Sequence, residues 1–210
     1  NTYDIKTPEV VLVYLTGTPK KGIGPHDVAI ALVGATFANG FVKNKVLEFV
    51  GPGVKNLPID FRNGIDVMTT ETTCLSSIWE TDEVTKKHYE AHGRPEDYKE
   101  LRPGKVAYYD AMIEIDLSKM ESMIALPFHP SNAYTIHEFN KNAKEILAKV
   151  DAEAKANAKR AVEAMIKLTE ITGRKGFTAR ATRYSHEENF MTGNREEWHI
   201  CEDNPDCEWL

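Results

Sequence analysis

Two hydrophobic rhythms alternate along the first half of the chain. Pro8 precedes residues 10–15 (VVLVYL), a continuous β-branched apolar run that predicts a strand buried on both faces, as in a parallel sheet. A turn-rich loop, TGTPKKGIGP, follows. Pro25 suits the first turn of a helix, where its missing N–H has no intrahelical partner to lose, and Asp27 lies where the helix dipole favours negative charge. The segment DVAIALVGATFA then places Val28, Ala31, Leu32, Ala35 and Thr36 on one helical face. Residues 45–50 (KVLEFV) predict a second strand, closed by Gly51-Pro52-Gly53. A strand, helix, strand order of this kind is a crossover unit, and parallel pairing follows from it.

The pattern continues with a helix over 57–68, with Asp60 near its start, and a short strand over 74–79 (CLSSIW). A third helix opens at Thr81-Asp82-Glu83, runs to about Ala91 and stops at Gly93. EDYKE adds a turn of helix. From Tyr108, YYDAMIEIDLS alternates apolar Met112, Ile113, Ile115 and Leu117 with polar Asp110, Glu114 and Asp116, which predicts a half-buried strand at a sheet edge. MIALPF is a further apolar run, and HPSNAYTIHEF reads as irregular. From Lys141 to about Thr172 the chain is rich in Lys and Ala, with Ile146, Val150, Val162 and Met165 at helical spacing and Gly173 as the stop. This predicts one long helix, broken near Asn157, with a thin apolar stripe. The fold class expected is α/β: a three-layer α/β/α domain with a small, mostly parallel sheet over residues 8–139, then a long helix and an acidic tail over 140–210.

Composition narrows the function. The 210 residues carry 32 acidic and 26 basic side chains, a formal net charge of −6, so there is no basic footprint and nucleic acid is not an expected partner. No apolar run approaches the ~20 residues of a membrane-spanning helix, and no charged-then-apolar signal opens the chain. Asn1 in first place suggests an excised or processed piece. Three cysteines, Cys74, Cys201 and Cys207, are too few for a disulfide framework and predict a reducing cytoplasm. Charge is unevenly spread: residues 140–183 hold eleven basic and five acidic side chains, residues 186–210 one basic and eight acidic.

Several residues could carry chemistry. Glu71, in MTTETTCLSS between a predicted helix and a predicted strand, can exchange a proton or hold a substrate hydroxyl; equally, it can be a capping or solvated glutamate. Cys74 beside it reads either as a thiolate or iron ligand or as a small buried apolar side chain. Gly51-Pro52-Gly53 can present N–H groups to an anion or simply make a tight turn, and Gly22 and Gly24 pose the same choice; Lys20 and Lys21 can attract carboxylates or simply be solvated. His88 and His92, four apart on a helix, have a metal-binding spacing but no evident third ligand. His129 and His137 flank a Pro-Ser-Asn turn. His199, Cys201 and Cys207 could chelate zinc, although C-x5-C is not a usual structural spacing. Ser185-His186-Glu187 has triad residue types without triad geometry.

The ordered set of segments resembles the second domain of the aconitase superfamily, closest to its uncharacterised hydratase-like branch. The matching pieces are VVLVYLTG, PHDVAIALVG, KVLEFVGPGV, DVMTTETTCLSSIW, the polar helix ending in HGR, AMIEIDLS and ALPFHPSNAYTI, spread over residues 8–139. The resemblance implies a reversible dehydration of a hydroxy di- or tricarboxylic acid, with a [4Fe-4S] cluster as Lewis acid. It places the family's active-site glutamate of this domain on Glu71, where it would bind the leaving hydroxyl or cluster-bound water. The family often has an asparagine four residues earlier; Val67 stands there, which leaves the substrate open.

The resemblance also implies what must come from elsewhere. The family's cluster cysteines lie in a Ser-Cys-Thr-Asn-like turn and a C-x-x-C pair, and neither occurs in this sequence. Its aspartate–histidine motif, arginines and catalytic serine have no counterpart either. The expectation is therefore a domain of an iron–sulfur hydratase, silent in isolation, with the cluster in the parent protein only and the remaining domains and a small carboxylic acid as partners. The alternative is a non-catalytic interaction or regulatory module that keeps the fold.

Overall fold

A computed structural model describes residues 4–172 and the two short strands at 180–183 and 196–199. The chain divides into two compact units, residues 1–143 and 144–210.

Four strands form the sheet of the first unit: β1 (Val10–Thr16), β2 (Val46–Val50), β3 (Ser76–Trp79) and β4 (Ala111–Asp116). Their order is β3-β2-β1-β4, and every pairing is parallel, with Val11 opposite Leu47 on one side and Ala111 on the other. The expected α/β class, a parallel sheet with helices and a long C-terminal helix, is present. The apolar run of β1 lies in the sheet interior but is fully buried on one face only: Val11, Val13 and Leu15 are sealed, whereas Leu12 is half-buried and Tyr14 exposed, so burial on both faces does not hold for this strand. The three sealed residues share a core with Leu47 and Phe49 of β2, Val28 and Leu32 of helix α1 (Pro25–Thr36) and Ile65 of helix α2 (Ile59–Asp66). Phe49 also stacks on Trp79, ring centroids 4.2 Å apart. The alternating segment is the edge strand β4, as its pattern predicts.

Local signals explain most element ends. Asp82 caps helix α3 (Glu83–Ala91) by accepting from the Val84 and Thr85 N–H groups at 3.0 and 3.1 Å, and Gly93 follows at φ +66°. Asp27 does more than complement a dipole. One carboxylate oxygen accepts the Gly24 N–H at 2.7 Å, and the other accepts the Met123 N–H at 2.7 Å across 96 positions. It thereby ties the start of α1 to strand β5 (Met123–Ala125).

The structure corrects several boundaries. The predicted helix over 57–68 is shorter, because 3-10 turns at Val54–Asn56 and Thr69–Thr72 flank α2. The strand over 74–79 begins at Ser76, since Cys74 still belongs to the turn. The extra turn of helix falls at Pro95–Asp97, with proline in its first position. HPSNAYTIHEF is not irregular: β6 (Ala133–Thr135) pairs antiparallel with β5, and helix α4 (Ile136–Thr172) begins directly after it. A reciprocal capping box starts α4. Thr135 Oγ1 accepts the Glu138 N–H at 3.1 Å, while Glu138 accepts the Thr135 N–H at 3.0 Å. The non-helical residue in α4 is Asn142 (φ −123°, ψ 19°), not Asn157. Asn157 instead accepts a hydrogen bond from Arg160 within the helix, at 2.7 Å.

Of the second unit, the described parts are the remainder of α4 and an antiparallel pair, β7 (Arg180–Arg183) and β8 (Glu196–His199).

Candidate active site

Glu71 lies on the 3-10 turn Thr69–Thr72 that leads from α2 into β3. The turn sits at the amino edge of the sheet: the Thr73 carbonyl accepts the Asn44 N–H at 3.0 Å, just ahead of β2, and Leu75 N–H donates to Lys45. The neighbouring hydroxyls are held internally. Thr69 donates to the Asp66 carbonyl (2.7 Å) and Thr72 to the Thr69 carbonyl (2.6 Å). Thr73 ends the turn at φ +65°, a strained conformation for a β-branched residue that costs on the order of 1 kcal/mol. The Glu71 side chain is 44% exposed and caps no backbone N–H. The capping reading therefore fails; the carboxylate is open to solvent and faces one side chain of the same unit.

What it meets inside the chain is His129, whose Nε2 lies 3.6 Å from Glu71 Oε2. The imidazole is clamped from two other sides. Its ring stacks on Phe37, the residue that closes α1, with centroids 3.8 Å apart and planes 24° from parallel. Its Nδ1 accepts the Ser131 backbone N–H at 3.1 Å and lies 3.0 Å from the Ser131 hydroxyl. Gly34 lets the 129–133 turn close against α1, since a Cβ there would come within 3.0 Å of the Ala133 methyl.

Other candidates separate from this pair. Cys74 is half-buried against the core, and its thiol donates to the Thr69 carbonyl at 3.3 Å, so it behaves as a small core side chain. Gly53 N–H donates to the Leu15 carbonyl at 2.8 Å and Gly51 N–H to Glu80 at 3.3 Å, so this turn does not present free donors to an anion. Its glycines serve close packing on the end of β1. The rings of His88 and His92 are 4.2 Å apart, and His92 Nδ1 bonds the His88 carbonyl at 2.7 Å. Among the described residues, no group of three or more His, Cys, Asp or Glu side chains converges to hold a metal ion. His137 is exposed in the first turn of α4. Ser185-His186-Glu187 and the side chains of His199, Cys201 and Cys207 lie outside the described residues.

A groove of about 350 Å³ lies elsewhere, between α1 and the β5–β6 hairpin, lined by Ala31, Gly34, Met123 and Ala133 with Lys119 and Glu121 at its rim. Glu71 is not part of it. Its lysine is paired with Asp116 at 3.1 Å, so the groove is mainly apolar surface with a single carboxylate, Glu121, at its rim. Open α/β sheets commonly bind ligands at the carboxyl ends of their strands. The Glu71–His129 pair is at the opposite edge, and it is the pair that carries proton-transfer groups.

Sequence reasoning missed two connections. His129 appeared only as part of a turn, and Arg62 did not appear at all. Arg62 is 2% exposed and binds Asp82 with two hydrogen bonds, Nη2–Oδ2 at 2.7 Å and Nη1–Oδ1 at 3.0 Å. It also donates to the Leu57 and Val54 carbonyls. Burial pushes the Asp82 carboxyl upward, but the Arg62 hydrogen bonds and charge and the Thr85 contacts outweigh it and hold Asp82 below its ordinary range.

The class of the protein is thus a parallel α/β domain, with a half-exposed, histidine-paired glutamate on the turn at its sheet's amino edge. The sequence signature of the aconitase family (aconitate hydratase) matches residues 1–182, well past the stretch on which the resemblance was drawn, and the chain belongs to that family. It is 33% identical over 133 residues to the 3-isopropylmalate dehydratase large subunit of Lachnoclostridium phytofermentans, covering 63% of this chain and 31% of that protein. It is 28% identical over 141 residues to the 3-isopropylmalate dehydratase large subunit 1 of Thermotoga maritima (67% and 34%). It is 33% identical over 131 residues to the 2,3-dimethylmalate dehydratase large subunit of Eubacterium barkeri (62% and 31%). The chain thus spans about a third of the length of these relatives.

Membership of the family implies a [4Fe-4S] cluster, and the described residues do not fit one. Such clusters are held by several cysteine thiolates. Cys74 is a single sulfur engaged with a carbonyl. Among the described residues no helix is long and apolar enough to cross a membrane.

Proposed function

We propose that this chain forms one wall of the active site of a dehydratase acting on a hydroxy di- or tricarboxylic acid, with Glu71 as its catalytic group. The role is that of a carboxylate accepting the hydrogen bond of a substrate hydroxyl or of the water it becomes, and moving a proton at Oε1 or Oε2. The observation that carries the reading is the half-exposed carboxylate of Glu71, facing His129 on a turn whose buried hydroxyls are already bonded, within a chain of this family. One carboxylate does not supply anion clamps, so residues outside this chain complete the site. The cluster cysteines belong with those residues, which makes the 210-residue chain silent by itself. We read residues 8–139 as the α/β domain and 140–210 as an appendage; the unit division after residue 143 supports this, while the family signature runs on to residue 182. The cysteine usage favours a cytoplasmic setting.

The substrate class follows relatives whose names specify malates bearing alkyl groups. Val67, 67% exposed one turn before Glu71, leaves an apolar rather than an amide side chain on that side.

The test is Glu71→Gln in the complete, cluster-loaded protein. Dehydration should fall by about 100-fold or more, the usual contribution of a positioned acid or base. Unchanged turnover would remove Glu71 from the mechanism. Turnover by the 210-residue chain alone would remove the composite-site reading.

A further inference from the structure

We infer that His129 is the positioning residue for Glu71, holding its carboxylate through Nε2–H with the imidazole locked in one tautomer. The inference rests on the proposed role of Glu71 and adds a partner to it from within the same chain.

The locking follows from donor and acceptor inventory. A backbone N–H can only donate. The Ser131 N–H points at His129 Nδ1 at 3.1 Å, so Nδ1 must present its lone pair. In the neutral ring the proton then sits on Nε2, the atom 3.6 Å from Glu71 Oε2. The Ser131 hydroxyl, 3.0 Å from the same Nδ1, is a second potential donor to it. Which nitrogen of a metal- or substrate-directed histidine is protonated is commonly set by what holds the other nitrogen. Here that setting is made by a residue two positions along in the same turn.

The ring is also fixed in place. Phe37 stacks on one face, and Phe37 is itself anchored by its N–H to the Val33 carbonyl at 3.0 Å as α1 closes. With ring plane and tautomer both set, only a small movement of the flexible glutamate closes 3.6 Å to hydrogen-bond distance. Acid–base contacts are often long in unliganded sites and tighten when substrate arrives. A hydrogen bond from Nε2–H fixes where the carboxylate oxygens point, so His129 aims Glu71 at the substrate hydroxyl. The covalent chemistry is unchanged by this; His129 acts through Glu71.

The first readout needs no substrate. Two-bond 1H–15N spectra of the labelled 210-residue chain should show His129 with its proton on Nε2 and an unprotonated Nδ1. In Glu71→Gln the Nε2 resonance should move while Nδ1, held by Ser131, stays. A ring protonated on Nδ1, or an Nε2 signal indifferent to Glu71→Gln, overturns the inference. The second readout uses the complete protein. His129→Phe keeps the stack on Phe37 but removes the donor, and should lower kcat about 10- to 100-fold with little change in KM. His129→Gln restores an N–H near the same place and should recover most of the loss. Full activity in His129→Phe, with Glu71→Gln still crippled, overturns the positioning role alone. Full activity in Glu71→Gln overturns the proposed function instead, and the spectra report the pairing in either case.

Discussion

Arg62 and Asp82 form a two-pronged ion pair across the start of α3, with Arg62 almost wholly buried and Asp82 at its helix cap. One carboxylate therefore performs two tasks. Its Oδ1 accepts the Val84 and Thr85 N–H groups, and both oxygens bind the guanidinium, which also donates to the ends of the Val54 and Leu57 segment.

Removing the guanidinium strips Asp82 of its counter-charge and the Leu57 carbonyl of its donor, while Asp82 keeps its helix N–H bonds and the Val54 carbonyl its Leu57 N–H. Breaking a buried pair by deleting one partner costs about 3–5 kcal/mol, and Asp82 retains some solvent, so Arg62→Met should destabilise by about 3 kcal/mol. Urea denaturation at pH 7 measures this. A loss under about 1 kcal/mol would mean that water replaces the guanidinium.

The same pair makes stability depend on acid. Asp82 is held below its ordinary value of 3.8, so its contribution is fully present above that pH. It disappears as pH falls through the lower, folded value. Wild type should exceed Asp82→Asn in stability at neutral pH, and the gap should narrow only below about pH 4. Asp116, Glu138 and Glu145 shift in the same direction, so the difference between the two proteins is the quantity to follow. A gap constant from pH 7 to pH 3 would show that Asp82 is not held ionised by folding.

Gly53 offers a steric test free of backbone strain. It sits at φ −65°, ordinary for any residue, yet a Cβ there would lie 2.8 Å from the Leu15 carbonyl carbon. Gly53→Ala should destabilise by about 1–3 kcal/mol through overpacking, seen as a lower Tm. An unchanged Tm would show that the turn can lift off β1. Gly51, at φ +116° and with a Cβ that would lie 2.6 Å from the Leu15 oxygen, should tolerate alanine even less.

Several features were legible because they are local. The β-branched run before Thr16, Pro25 at a helix start and Asp82 at a cap each act within a few residues. The start of α4 was equally legible and was overlooked. Thr135 and Glu138 form an S/T-x-x-E capping box, which marks a helix entry six residues before Lys141. The β5–β6 hairpin was harder, since strands of three residues show no periodicity and exist through pairing.

By itself the amino-acid order determined the α/β class, the parallel crossover units and the family, because apolar spacing, caps and ordered motifs are written in neighbouring residues. Only the tertiary structure decided that Glu71 faces His129, that Asp27 reaches Met123, that Arg62 is sealed onto Asp82 and that the Gly51–Gly53 amides are already taken. Each of those contacts joins groups far apart in the chain. Hydrogen-bond and ion-pair energies depend on distances of a few ångströms, and such distances exist only after the sheet and its helices have packed.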